Sequence, residues 1–242
     1  MILVAGVGQR LRPLTDDRPK ALMDVGGETI LGRAVRLLTE QGVSEIVLAT
    51  GYREDQIRRS VEHLAVPVHL CPNPDYDRTQ NSVSLALCAP ALAGKSFFKL
   101  DGDVVFRSDV LARLEAANSP LRVAVDAGRE LDAEAMKARV ANGKILELGK
   151  GLPSSADCAE TIGIEWLSPD AAARVFAAIE RHVARGQTHL YYEDIYSELI
   201  GAQELEAAAV DVSDLPWSEV DTFEDLARAR ELLRSRPLES SA

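Results

Sequence analysis

The sequence predicts an α/β protein built on a doubly wound, mostly parallel sheet with an inserted β-hairpin. Three observations lead there. Short apolar runs alternate with amphipathic ones through residues 1–120 of the 242-residue chain, a rhythm in which each helix returns the chain to a parallel strand. Hydrophobic residues make up 46% of the chain, enough for a sizeable core. In the second half Asn142-Gly143 separates two short strand-like runs, the strongest short-range hairpin signal.

The elements follow in order. Residues 2–5 form a short strand. Residues 30–41 form an amphipathic helix with Leu31, Ala34, Leu37 and Leu38 on one face and Gly42 as its stop. Residues 45–50 read as a buried strand, 55–64 as a helix, 66–70 as a strand and 82–92 as a helix. The strand over 95–100 ends in Asp101-Gly102-Asp103. Beyond it, 121–126 is a strand, 138–148 the hairpin, 169–185 and 191–200 helices, and 205–212 a strand. The last helix, 221–233, begins with Thr222 and Asp225 at capping-box spacing. No linker composition interrupts residues 1–235, which read as one domain, and 236–242 read as a frayed tail.

Composition narrows the function. The net charge of −11 argues against a nucleic-acid binder, whose phosphate contacts demand surplus Lys and Arg. It leaves room for a local cationic pocket that takes a small anion. Cys71, Cys88 and Cys158 form no CxxC pair, so neither a disulfide framework nor a zinc site is expected. His63, His69, His182 and His189 have no ligand spacing among them. No run approaches the ~20 apolar residues of a membrane span, and no signal peptide is expected. A cytoplasmic protein is expected, without membrane attachment; a homodimer is left open.

The loop after the first strand is the most informative stretch. Gly6-Val7-Gly8 begins like a dinucleotide-binding turn, but Leu11 stands where that fingerprint has a third small residue. No Gly-Lys-Ser/Thr follows, so the phosphate loop of the Walker type is excluded as well. Arg10, Arg12, Arg18 and Lys20 come instead, with Pro13 and Pro19 stiffening the chain. Gly6 and Gly8 let backbone N–H groups turn toward an anion. Arg10 adds a planar fork and Lys20 a point charge, whereas Arg12 and Arg18 have no assigned role.

Other candidates keep two readings on residues alone. Asp101 and Asp103 suit a hard cation such as Mg²⁺, or a turn. Glu219 and Asp221 share a face of an extended segment, with helix capping the competing role for Asp221. Asn81 and Ser84 suit either capping or hydrogen bonds to a base or ribose. Tyr191, Tyr192, Glu193 and Asp194 suit a quaternary ammonium or an amine; equally, the tyrosines are core and the acids complement the helix dipole. Trp166 is a pocket wall or a core residue.

The block Gly6-x-Gly8-x-Arg10-Leu11-x-Pro13-Leu14-Thr15-x-x-x-Pro19-Lys20 resembles the signature of nucleotidyltransferases of the sugar-phosphate pyrophosphorylase class. Val4-Ala5-Gly6 stands where the family usually has Ala-Ala-Gly. Asn81-x-x-Ser84-Leu85, "RPLTDDRPKAL", "YYEDIYSEL" and "WSEVDTFEDL" are similar to bacterial phosphocholine cytidylyltransferases, with inositol-1-phosphate cytidylyltransferases alike at the first of these. The resemblance covers essentially the whole chain. It implies a Rossmann-like nucleotidyltransferase fold with a nucleotide-binding part over 1–120, an acceptor-binding part over 121–210, and a closing metal motif and helix over 211–235.

The resemblance also implies roles. The loop Ala5-Gly6-Val7-Gly8-Gln9 wraps the triphosphate of CTP, or of another NTP such as UTP, and Arg10 and Lys20 hold its phosphates. Asn81, Ser84 and Asp101 belong to the nucleotide site, and Asp103 and Asp221 share Mg²⁺. Lys137, Lys150, Glu160, Tyr191, Tyr192 and Glu193 are assigned to a small phosphorylated acceptor: phosphocholine-like, or alternatively a sugar 1-phosphate, an inositol phosphate or 2-aminoethylphosphonate. Arg10, Lys20 and Asp103 are the expected catalytic residues. Inactive regulatory relatives typically lose one of these groups, and this chain keeps Arg10, Lys20, Asp103 and Asp221.

Overall fold

The computed structural model describes residues 1–234, so the tail expected over 236–242 lies outside the described residues. Strand β1 (Ile2–Leu3) leads into the glycine loop, where Gln9–Leu11 and Lys20–Leu22 each form a turn of 3₁₀ helix. Then come α1 (Ile30–Glu40), β2 (Ile46–Thr50), α2 (Glu54–Val61) and β3 (Val68–Pro72). The helix expected over 82–92 is split into α3 (Asn81–Ala86) and α4 (Ala89–Leu92). Pro90 has no N–H to offer the carbonyl of Ala86, so one continuous helix is not favoured there.

The chain continues through β4 (Phe97–Asp101), β5 (Val104–Val105), α5 (Ser108–Ala116) and β6 (Leu121–Asp126). Strands β7 (Lys137–Ala141) and β8 (Lys144–Gly149) form the expected hairpin, and Asn142 and Gly143 both carry the positive φ (51° and 74°) that its two-residue turn needs. They are followed by β9 (Cys158–Leu167), α6 (Pro169–Ala184), α7 (Tyr192–Gly201), β10 (Ala207–Asp211), β11 (Ser218–Glu219) and α8 (Phe223–Arg234). Thr222 and Asp225 cap α8 reciprocally: the Asp225 N–H donates to Thr222 Oγ1 at 3.2 Å and the Thr222 N–H to Asp225 Oδ2 at 2.9 Å.

Nine strands make one sheet in the order β3-β2-β1-β4-β9-β6-β10-β8-β7. Strands β3, β2, β1 and β4 are mutually parallel, as are β6 and β10, while β9 runs antiparallel between β4 and β6. Neither β9 nor α5 is expected from the sequence. Strand β9 spans ten residues at the centre of the sheet, yet "CAETIGIEWL" shows no clean alternation because Glu165 is buried on it. The hairpin is therefore no outlying flap: β7 pairs with β9 through Lys137↔Glu160 and Ala138↔Ala159.

Helices cover both faces, as a doubly wound sheet requires. Leu31 and Leu38 of α1, Ile57 of α2 and Leu111 of α5 pack on Ile2, Leu48 and Leu100. Leu85 of α3, Val175 of α6 and Leu199 of α7 pack with Val47, Ala49 and Val123 on the opposite face. A third, smaller core joins Leu11, Met23, Val105, Val220, Leu226 and Ala229. It ties the glycine loop, the β5–β11 pair and α8 together, and so fixes the loop against the strand that precedes Asp221. Among the described residues no helix is long and apolar enough to cross a membrane.

Candidate active site

A cavity of about 710 Å³ opens at the ends of β1 and β4 and reaches across to the β6–β7 connection, β9 and the start of α7. Ala5, Gly6 and Arg10 line it, while Val7, Gly8 and Gln9 lie off its wall and shape the loop. A Cβ on Gly6 would meet nothing within 4 Å, so that backbone faces open space. Gly8 is held for a different reason. Its φ is +69° and a Cβ there would lie 2.9 Å from Lys20 Cβ, so only glycine lets the Lys20 segment pack beneath the loop. Leu11 is fully buried in the third core. It anchors the loop from below, which explains its presence where a dinucleotide turn has a small residue.

Two acidic segments meet beside this loop. Strand β5 pairs with β11 through Val104↔Glu219, and the Val220 N–H donates to the Asp103 carbonyl at 2.9 Å. This pairing sets Asp103 against Asp221. Gly102 makes the turn between Asp101 and Asp103 feasible, since a Cβ there would stand 2.4 Å from the Leu3 carbonyl oxygen. Carboxylate oxygens of Asp103, Glu219 and Asp221 lie within 4.8 Å of one another. The Lys20 ammonium bridges Asp103 Oδ2 at 2.6 Å and Asp221 Oδ1 at 2.7 Å, and Arg10 Nη2 donates to Asp221 Oδ2 at 2.7 Å.

The electrostatics of this cluster call for cations. Desolvation within the site, then Asp103 and Asp221, pushes the Glu219 carboxyl up to about 8, although the residue remains exposed at the cavity edge. Burial also works against ionisation of Asp221, but Lys20 outweighs it and holds that carboxyl below its ordinary range. Burial disfavours the Lys20 ammonium as well, and Asp103 and Asp221 overcome it, so its pKa stands above the ordinary value. Asp103 Oδ1 is buried without a hydrogen-bond partner. Three oxygen donors with one orphaned atom, already gathered around an ammonium, fit a hard divalent cation. Glu219 joins Asp103 and Asp221 in that set; its two-residue spacing from Asp221 on an extended segment was the available signal.

Behind the cavity lies a buried ionic network that sequence reasoning missed. Lys99, fully buried on β4, pairs with Asp101 Oδ1 at 2.8 Å and Glu165 Oε2 at 3.1 Å. Its Nζ lies 3.4 Å from the centroid of the Tyr192 ring. The Tyr192 hydroxyl donates to Asp101 Oδ2 at 3.0 Å. Tyr192 is thus a fully buried brace for Asp101 and does not line the cavity, which corrects its assignment to the acceptor. Lys137 is corrected likewise: its ammonium is buried and donates to the Lys150 carbonyl at 2.9 Å and the Ala135 carbonyl at 3.3 Å, so it braces the connection around the hairpin.

The other assigned side chains do border the cavity. Asn81, Ser84, Asp101, Lys150, Glu160, Tyr191 and Glu193 all line it. Asn81 Oδ1 accepts from the Tyr192 N–H at 3.0 Å, so it caps α7 across space and leaves its amide nitrogen available. Ser84 Oγ accepts from Asn73 Nδ2 at 2.9 Å. Trp166 packs under the Arg122 guanidinium at 3.8 Å and stays off the cavity, whereas Arg12 pairs with Asp16 at 3.3 Å on the surface. Arg129, Asp132 and Glu134 line the cavity without having been expected. They follow the C-terminal end of β6, the position that should have drawn notice.

Glu193 sets a pH dependence. It is 4% exposed, and burial above all, with Asp101 and Glu165 adding to it against the pull of Lys99, pushes its carboxyl up to about 8. The folded protein then holds a proton that the unfolded chain releases, from the ordinary carboxyl range up to about 8. A raised acid pKa lowers stability as pH rises through that window. Chemical denaturation between about pH 6 and about pH 8.5 is expected to show wild type losing up to about 1.4 kcal/mol per pH unit from this group. Glu193→Gln should lose measurably less over the same range.

A family model for the MobA-like NTP transferase domain matches residues 1–199. The chain is 31% identical over 236 residues to the bifunctional IPC transferase and DIPP synthase of Rubrobacter xylanophilus, covering 96% of this chain and 51% of that one. It is 30% identical over 241 residues to the CMP-5'-(3-aminopropyl)phosphonate synthase of Streptomyces rubellomurinus, covering 95% and 38% respectively. The chain thus spans about half or less of these curated relatives. The solved structure of CTP:phosphocholine cytidylyltransferase from Streptococcus pneumoniae matches with a TM-score of 0.76 at 22% identity, covering 96% of this chain and 97% of that one.

Proposed function

This chain belongs to the MobA-like NTP transferase domain family, and from that premise we propose that it transfers a cytidylyl group from CTP to a small phosphorylated or phosphonylated acceptor, releasing pyrophosphate. The observation that carries this is the Lys20 ammonium set between Asp103 and Asp221 beside a glycine loop that faces an open cavity. The relatives' cytidylyl and phosphonate chemistries support the choice of nucleotide and acceptor class.

An oxygen of the acceptor's phosphate or phosphonate attacks the α-phosphorus of CTP, a new P–O bond forms, and the bond to the β-phosphate oxygen breaks. That oxygen is anionic at neutral pH, so no general base is required. Asp103, Glu219 and Asp221 would hold Mg²⁺, which when bound neutralises phosphate charge. Arg10 and Lys20 supply the charge that stabilises departing pyrophosphate. The backbone at Ala5 and Gly6 approaches the triphosphate, and Asn81 and Ser84 face the nucleoside. The convergence of these groups around one cavity supplies positioning, which with charge neutralisation accounts for the catalysis.

The test is a pyrophosphate-release matrix of four NTPs against phosphocholine, 2-aminoethylphosphonate, inositol phosphate and a sugar 1-phosphate, with Mg²⁺ present. CTP with one of the first three should dominate. Preference for UTP and the sugar phosphate would replace the cytidylyl reading, and no release from any pair would remove the transferase reading altogether.

A further inference from the structure

Of three aromatic rings near the acceptor segments, Tyr191 lines the cavity while Tyr192 and Trp217 lie behind its wall, and each already faces a cation of the protein itself. Lys99 Nζ stands 3.4 Å from the Tyr192 ring centroid, the Arg129 guanidinium 3.9 Å from that of Trp217, and Lys150 Nζ 5.2 Å from that of Tyr191. A quaternary ammonium is recognised through open aromatic faces, because it has no N–H to donate. Of these three rings only Tyr191 lines the cavity, and it already faces Lys150.

The cavity has instead an unmatched acceptor of hydrogen bonds. Glu193 lines the cavity, is 4% exposed, and its Oε2 is buried with no partner. The hydroxyl of Tyr196, whose ring lies 5.3 Å from that of Tyr192, is likewise buried and unpartnered. The surrounding carboxyls also outnumber the cations beside them. Asp101, Glu165 and Glu193 share the single buried ammonium of Lys99, and Lys99 is already committed to the first two at 2.8 and 3.1 Å. An orphaned buried carboxyl oxygen costs free energy until a donor reaches it, and an ammonium brought by the substrate both reaches it and favours the ionised form of Glu193.

Resting on the transferase reading above, we propose that the acceptor carries a protonated primary amine that donates hydrogen bonds to Glu193, so that the substrate class is an aminoalkyl phosphate or phosphonate rather than a choline-type ester. Asp101 links this amine subsite to the catalytic carboxylates, since it lies two residues before Asp103 and is braced by Tyr192, the neighbour of Glu193.

The experiment measures kcat/KM for pyrophosphate release with CTP across 2-aminoethylphosphonate and its N-methyl, N,N-dimethyl and N,N,N-trimethyl derivatives, with 2-hydroxyethylphosphonate as the neutral member. Phosphoethanolamine and phosphocholine repeat the comparison for phosphate esters. Efficiency is expected to fall with each methyl group and by at least tenfold from primary to quaternary, with the hydroxy analogue equally poor. Glu193→Gln should raise KM for the primary amine at least tenfold and flatten the series. Equal use of the quaternary or neutral members, or a uniform loss across the series in Glu193→Gln, overturns the amine subsite while the transferase reading stands. Release only with acceptors outside these series does the same, whereas no release with any NTP and acceptor defeats both.

Discussion

Replacing Asp103 by asparagine is expected to lower pyrophosphate release by about 10²–10³-fold with little change in melting temperature. The side chain is part of the only cluster of metal-capable acids found among the described residues, with Glu219 and Asp221. Its Oδ1 is unpartnered and its Oδ2 meets Lys20 at 2.6 Å. Asparagine keeps the shape but removes the charge that a divalent cation and Lys20 both need. The backbone is untouched, so the bond from the Val220 N–H to the Asp103 carbonyl, at 2.9 Å, continues to hold β5 against β11. Steady-state rates and thermal melts on the same preparation decide the matter. Near-wild-type turnover would refute the assignment, and a collapse in melting temperature would make the residue structural.

The glycine loop and the two acid motifs were legible in the sequence because their chemistry is local. Gly6, Gly8, Arg10 and Lys20 fall within a single segment, and Asp103 stands at a strand end. Their meeting with Asp221 was not local: it depends on two-residue strands, β5 and β11, too short to register as patterns. Strand β9 escaped for a related reason. Period-two alternation marks a strand with one wet face, and β9 is buried on both, with Glu165 at 1% exposure. A glutamate in such a run reads as solvent-facing until Lys99, 66 positions earlier in the sequence, is seen opposite it in the register Lys99↔Glu165.

The tyrosine pair shows the same limit at finer grain. Tyr191 and Tyr192 are adjacent, and nothing in the sequence says which one faces the cavity. The start of α7 decides it. Tyr191 occupies the N-cap position and lines the cavity, while Tyr192, one residue into the helix, turns inward to Asp101. Lys137 was misread because a lysine beside a hairpin is ordinarily exposed. Here its register opposite Glu160 on β9 places it inside, where backbone carbonyls receive its protons.

Lys20→Met is expected to separate two roles that one ammonium performs. Lys20 pairs with Asp103 and Asp221 at 2.6 and 2.7 Å, and only Arg10 would remain on Asp221 after the substitution. In the proposed reaction the same charge stabilises the departing pyrophosphate. Loss of a charged contact of that kind typically costs about 10²–10³-fold in rate. The methionine should therefore reduce pyrophosphate release by that factor. It should also tighten Mn²⁺ binding in the absence of nucleotide, because the competing ammonium is gone and three carboxylates remain. Calorimetric titration with Mn²⁺ reads the second effect without any turnover. Arg10→Met gives the contrast. Arg10 is exposed and touches only Asp221 of the three acids, so its removal should affect Mn²⁺ affinity less than removal of Lys20. Weaker Mn²⁺ binding by Lys20→Met would mean that the lysine shapes the carboxylate cluster rather than competing for it. The site would then have to be understood as a structural ion pair next to a nucleotide cavity.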